Sequence, residues 1–132
     1  IAPAFLEDIS DIHKTEPYVY AQMIAGKASR RHGEAKNSWL TGTAAWNFVA
    51  LSQWIIGIRP EFDGLCVEPR LPEHVKKAKI TRVYRGAEYV ISVENRKNDG
   101  LIAITVDGNP ITGTLLPIAM KGSTCVVEVC VG

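Results

Sequence analysis

This sequence lacks an excess of charge of either sign. Its 15 basic and 14 acidic residues leave a formal net charge of +1. No basic run is longer than Arg30-Arg31 or Lys76-Lys77. A nucleic-acid binder needs a concentrated positive footprint to displace counterions from phosphates, so that class is excluded. Cysteine is also scarce. Cys66, Cys125 and Cys130 are too few for a disulfide framework, and no two of them form the CxxC pair of a zinc site. They read as reduced, mostly buried thiols of a cytoplasmic protein. The N-terminal Ile1-Ala2-Pro3-Ala4-Phe5 has neither the basic region nor the apolar stretch of a signal peptide. With no initiator methionine either, the chain is expected to start inside something larger.

What is present is ordinary for a globular protein: 132 residues, 46% apolar and 22% charged. A compact chain of this length buries roughly two-thirds of its unfolded surface, enough for a hydrophobic core without staples. The composition argues against disorder. One uncharged span, from Lys36 to Arg59, is long enough to suggest a membrane helix. Asn37, Ser38, Thr41, Thr43, Asn47, Ser52 and Gln53 are scattered through it, and each would be unfavourable in lipid. The span is therefore read as a helix buried inside a helical protein, and a membrane partner is rejected.

The pattern changes near Pro60. Before it, the clearest element is a helix from about Thr41 to Ile56, with Gly57 as its stop. It is apolar on nearly every side and needs neighbours on all of them. Residues 1–13 give a fragmentary second helix, and Pro17 to Met23 an apolar stretch of uncertain type. After Pro60 the period becomes two. Strands are expected at Ile80–Tyr84 and Tyr89–Val93 around Arg85-Gly86-Ala87, and at Ile102–Val106 before an Asp107-Gly108 turn. A last strand alternates through Val127, Val129 and Val131. The fold class is α+β: the last helices of a large helical domain (residues 1–60), a linker (61–72), and a small antiparallel β-sandwich (73–132).

Chemistry concentrates between Glu16 and Pro60. Thr41-Gly42-Thr43 opens the helix, where free N–H groups, a glycine and hydroxyls suit an anion such as phosphate. An ordinary N-cap threonine is the other reading. Gln22, among Tyr18 and Tyr20, has the planar amide a sugar site uses, or is a structural glutamine. Glu16 and Glu34 are candidate carboxylates, with capping or ion-pair roles as the alternative. Arg30-Arg31-His32 reads as a solvated basic turn. His13, His32 and His74 lack metal-site spacing, so no metal is assigned.

The runs EPYVYAQMIAG and HGEAKNSWLTGTAAWNFVALSQWIIGIRPEFDGL closely resemble the C-terminal catalytic region of glycoside hydrolase family 94. These are inverting disaccharide phosphorylases, and the wording here is most similar to the cellobiose-cleaving members. The resemblance is dense from Glu16 to about Pro72. It implies the C-terminal helices of an (α/α)6 barrel followed by a small β-sandwich. It also implies phosphorolysis of a β-linked glucose disaccharide to a sugar 1-phosphate and a free sugar, with inorganic phosphate as co-substrate and no cofactor. Thr41 and Gly42 match the family's phosphate-binding pair, and Gln22 matches a glutamine facing the sugar. The family's catalytic aspartic acid and phosphate-binding histidine lie upstream of the matching segment, so Asp8, Asp11 and His32 are not promoted to those roles. No catalytic residue is assigned, and the chain alone is expected to be inactive. A homodimer is the family expectation for the intact parent. Two other readings stand beside it: a carbohydrate-binding sandwich, for which Tyr84 and Tyr89 offer few aromatics, and a structural cap, the reading adopted for residues 73–132.

Overall fold

The computed structural model describes residues 7–16, 18–39, 42–96 and 100–132. The chain divides into two compact units, Ile1–Val49 and Ala50–Gly132.

In the first unit a short 3-10 turn, Glu7–Ile9, leads into helix α1 (Ser10–His13), which ends on Lys14 in the left-handed conformation. Strands β1 (Met23–Ile24) and β2 (Ala35–Lys36) then pair antiparallel. Pro17 to Met23 was of uncertain type in the sequence, and no strand was expected among residues 1–60. The hairpin's basic turn and Gly33, at φ 88°, return the chain on itself, and the Gly33 N–H closes the hairpin on the Ala25 carbonyl at 2.9 Å. Glu34, nearly buried, pairs with Lys36, and with Lys14 and Arg31 at 3.7 Å each. The unit ends in helix α2 (Thr43–Val49).

The second unit opens on a π-helical segment, Ala50–Ile55, whose hydrogen-bond slip is visible where Ile56 N–H reaches Leu51 O at 2.8 Å. The single α-helix expected from Thr41 to Ile56 is thus α-helical only over Thr43–Val49. Trp46 is 76% exposed and Phe48 68% in the first unit, and Leu51, Trp54 and Ile55 are exposed in the second. A helix apolar on most sides cannot hide its side chains without partners on each face, and within each unit those partners are few.

Two sheets make up the rest. One has the order β3 (Ile58–Pro60), β4 (Leu65–Val67), β9 (Leu115–Leu116). The other runs β5 (Lys77–Tyr84), β6 (Ala87–Asn95), β10 (Thr124–Val131), β7 (Ile102–Val106), β8 (Asn109–Ile111). Ile58, Leu65, Val67 and Leu116 from the first sheet share one core with Tyr89, Ile91, Val93, Ile104, Val127 and Val129 from the second. The alternation expected in the last strand holds, with Cys125, Val127 and Val129 inward. Both tight turns also form, Arg85-Gly86 and Asp107-Gly108, each with positive φ at both residues.

The sandwich departs from expectation in two ways. Within residues 61–72, expected to be a linker, Leu65–Val67 is a fully buried central strand. Pro60 is tolerated beside it because β3 is an edge strand. Nor is the sheet wholly antiparallel: β6 and β10 pair in parallel, from Thr124 opposite Glu88 to Val131 opposite Asn95. The long stretch between them, which carries β7, β8 and β9, supplies the crossover a parallel pair requires.

Candidate functional site

Of the polar side chains singled out in the sequence, Glu16 and Gln22 bond to the segment that follows β2, and Glu34 lies within the β1–β2 hairpin. Before it, the chain turns at Glu16, whose carbonyl accepts the Val19 N–H at 3.2 Å, with Tyr18 at φ 69°. A bulky residue there is strained, and such strain persists only where surrounding contacts hold it. Glu16 uses both carboxylate oxygens. Oε1 accepts the Trp39 indole N–H at 2.8 Å, and Oε2 accepts the Ser38 hydroxyl at 3.1 Å. These bonds hold its carboxyl below the usual carboxylate range, the indole first, then its own backbone and Ser38, against some desolvation. Among the described residues its side-chain partners are neutral donors.

Gln22 is exposed and its Oε1 accepts from Asn37 Nδ2 at 2.9 Å. Its backbone N–H reaches the Lys36 carbonyl at 3.2 Å, which continues the hairpin ladder. Asn37 itself sits at φ 54°, a conformation that asparagine tolerates. The segment around Glu16 to Gln22 therefore grips Lys36 to Trp39 at successive residues. Glu34 lies in the same hairpin, its carboxyl held low chiefly by Lys36, then by Lys14 and Arg31. It has the ion-pair role weighed for it in the sequence.

Gly42 directly precedes α2 and its carbonyl accepts the Trp46 N–H at 3.1 Å. A Cβ at Gly42 would come no closer than 3.8 Å to a neighbour, the Trp46 ring, so its surface is open. Thr41 lies outside the described residues. Asp8, Asp11 and His32 are exposed and His13 is buried. Among the described residues no group of three or more His, Cys, Asp or Glu could hold a metal, and no helix is long and apolar enough to cross a membrane.

The second unit holds a polar cluster that the sequence did not reveal. Arg59 Nη2 donates to Glu68 Oε2 at 2.7 Å and to Cys66 Sγ at 3.3 Å, and its guanidinium lies 4.7 Å from the Trp54 ring centroid. Thr114 completes it, donating to Glu68 Oε1 at 3.0 Å. Arginine and threonine hold the Glu68 carboxyl low, while burial pushes the Cys66 thiol up. The cluster ties β3, β4 and the approach to β9 together. In the β3–β4 register Arg59 stands opposite Cys66, a pairing that residue spacing alone does not disclose.

A groove of about 700 Å³ crosses the outer face of the larger sheet, lined by Lys77, Lys79, Ser92, Glu94, Thr105 and Glu128 among others, none of them aromatic. The two sandwich tyrosines point elsewhere. Tyr89 is fully buried, its hydroxyl donating to Pro117 O at 2.8 Å and accepting from Ala119 N at 2.9 Å. Tyr84 is buried and donates to Glu61 O at 2.6 Å. Neither ring offers a face for stacking on a sugar.

Comparison with known proteins gives these features a family. Residues 1–57 match the glycosyl hydrolase 94 superfamily, catalytic domain. Solabiose phosphorylase from Paenibacillus borealis is 37% identical over 131 residues, covering 98% of this chain and 17% of that protein. N,N'-diacetylchitobiose phosphorylase from Vibrio proteolyticus is 40% identical over 124 residues, 92% of this chain and 16% of that protein. Cyclic beta-(1,2)-glucan synthase NdvB from Rhizobium meliloti is 30% identical over 97 residues, 74% of this chain and 3% of that protein. The chain thus spans about a sixth of the length of the two phosphorylases it matches. The glycosyl hydrolase 94 assignment thus rests on residues 1–57, the segment that matches the catalytic domain of that superfamily.

Proposed function

We propose that this chain is the C-terminal part of an inverting disaccharide phosphorylase. The parent splits a β-linked glucose disaccharide, cellobiose being the first to try, with inorganic phosphate, giving a sugar 1-phosphate and a free sugar. The observation that carries the reading is the 37–40% identity, across nearly the whole chain, to two proteins each named as a disaccharide phosphorylase. Their names specify different sugars and one type of reaction.

Phosphate attacks the anomeric carbon from the face opposite the leaving sugar, and an aspartic acid elsewhere in the parent protonates the leaving oxygen. Phosphate is already anionic, so positioning replaces the general base of an inverting hydrolase. Thr41 and Gly42 hold the phosphate through hydroxyl and backbone donors, and Gln22 faces the sugar. The open surface at Gly42 and the exposed amide of Gln22 are compatible with those roles. No cofactor is needed. The exposed Trp46 and Phe48 are the apolar faces that the parent's remaining barrel helices would cover. Residues 73–132 act as a structural module, which the buried, hydrogen-bonded Tyr84 and Tyr89 support. The parent is a cytoplasmic homodimer in this reading.

The chain alone lacks the acid and has no phosphorylase activity. Disaccharide and phosphate incubated with the purified chain should release no sugar 1-phosphate, whereas the full-length protein should. Turnover by the chain alone would overturn this assignment.

A further inference from the structure

We infer that Asn37 is a positioning residue for Gln22, setting which end of the Gln22 amide faces the sugar. The inference rests on the reading of Gln22 as a sugar-facing residue and adds the direction of its bond: the amide serves as a donor. A glutamine amide carries an acceptor oxygen and a donor NH₂ of nearly equal shape, and a half-turn about its last bond exchanges them. A neighbour has to make the choice. Here Asn37 Nδ2 donates to Gln22 Oε1 at 2.9 Å, which engages the oxygen. Among the described residues the Gln22 NH₂ group has no partner, and it is the end left for a ligand.

The backbone explains why these two amides meet. Met23 stands opposite Lys36 and Ile24 opposite Ala35 in the β1–β2 hairpin, so Gln22 and Asn37 are the next facing pair. Facing residues of an antiparallel ladder put their side chains on the same side, within reach of each other. The Gln22 N–H bond to the Lys36 carbonyl, 3.2 Å, carries the ladder to this point. Asn37 then turns the chain at φ 54°, and Glu16 holds the next two residues through the Ser38 hydroxyl and the Trp39 indole. Stability alone is a poor reason for the contact. Both residues are exposed, and water replaces an exposed neutral bond at little net cost. Orientation is what the bond supplies. An NH₂ turned to the sugar engages a hydroxyl through its oxygen, whereas a carbonyl turned there would demand that hydroxyl's proton.

The test uses the full-length protein in phosphorolysis, with KM for the disaccharide and for phosphate measured separately and melting temperature recorded. Gln22→Ala removes the amide. Gln22→Glu keeps the acceptor for Asn37 but has no NH₂. Asn37→Ala frees the Gln22 amide to turn. Asn37→Asp offers only acceptors, so it draws the Gln22 NH₂ toward itself and turns the oxygen to the sugar. Asn37→Ala should raise the disaccharide KM about two- to tenfold, the usual effect of one neutral hydrogen bond. Asn37→Asp should raise it further, and Gln22→Glu at least as far as Gln22→Ala, with the phosphate KM changed far less. Melting temperature should run the other way. Aspartate tolerates the left-handed backbone of Asn37 better than alanine does, so Asn37→Asp should be the more stable of the two. A merely structural role would make alanine the worse substitution in both measurements.

A raised disaccharide KM in Gln22→Ala, with neither Asn37 variant altering it or with Asn37→Ala the more damaging, overturns the inference and leaves Gln22 at the sugar. An unchanged disaccharide KM in Gln22→Ala overturns the sugar reading of Gln22 and the inference with it. A parallel change of both KM values and melting temperature in the two Asn37 variants makes Asn37 structural and also overturns the inference.

Discussion

Asp107 and Val126 exchange two hydrogen bonds: the Asp107 N–H donates to Val126 O, and the Val126 N–H donates to Asp107 Oδ1, each at 2.8 Å. The turn between β7 and β8 is thereby pinned to β10. Asp107→Ala removes the side-chain acceptor at a residue already at φ 50°, where alanine is disfavoured. A loss of about 1–2 kcal/mol in urea unfolding of the 132-residue chain is expected.

A second prediction concerns Asn95, buried to 4% exposure, whose Nδ2 faces the carbonyls of Leu71, Pro72 and Val75 at 3.4, 3.3 and 3.0 Å. Asn95→Asp would set a carboxylate against three carbonyl oxygens in a dry site. It should destabilise more than Asn95→Leu, which forfeits the bonds and leaves the carbonyls unpaired at about 1–3 kcal/mol. Equal midpoints for the two variants in urea would contradict this account of the site.

Gly57, at φ 76°, lies so close to β4's exit that an added Cβ would sit 2.0 Å from Glu68 O. Flexible side chains can retreat; this neighbour is backbone. Gly57→Ala should therefore lower stability by more than about 2 kcal/mol, beyond the left-handed penalty alone. Far-UV circular dichroism on heating reads the loss directly.

Acid should weaken the second unit through Glu68. Its folded pKa is depressed, first by Arg59 and then by Thr114. A depressed carboxylate contributes stability that is present above its unfolded value, about 4.3, and lost as pH falls through the lower folded value. Glu68→Gln should be less stable than the native chain at neutral pH, and the gap should narrow below about pH 4. Urea midpoints at neutral and acid pH test this; a gap independent of pH would contradict it.

In the full-length protein, Thr41→Ala should lower kcat/KM for phosphate by about 10²–10³, the usual effect of losing one preorganised donor to a developing charge. Disaccharide binding should change far less. Steady-state kinetics with each substrate varied in turn separates the two. Unaltered dependence on phosphate concentration would remove Thr41 from the site.

Local signals carried the sandwich well. Asp107-Gly108 and Arg85-Gly86 form tight turns because their residues tolerate positive φ, and the valines of β10 alternate because one face is buried. Leu65-Cys66-Val67 escaped the same logic. All three are buried, so the strand shows no alternation and resembles a linker between prolines. The parallel β6–β10 pair joins residues far apart in sequence, and nothing local specifies it.

The helix was legible as an apolar element, but its slip to π bonding after Val49 depends on hydrogen-bond geometry, which no residue pattern encodes. At the candidate site, Gln22 and Glu16 were visible as residue types. Their partners Asn37, Ser38 and Trp39 were not, because the β1–β2 hairpin that brings them together is only two residues deep on each strand.

The central claim is phosphorolysis with inversion, and the anomeric form of the product tests it most directly. Full-length protein, a β-linked glucose disaccharide and inorganic phosphate should yield the α-anomer of the sugar 1-phosphate, in equal amount to the free sugar, as followed by phosphorus NMR. Disaccharide cleavage that proceeds equally well without phosphate, or a β-anomeric product, would contradict the account.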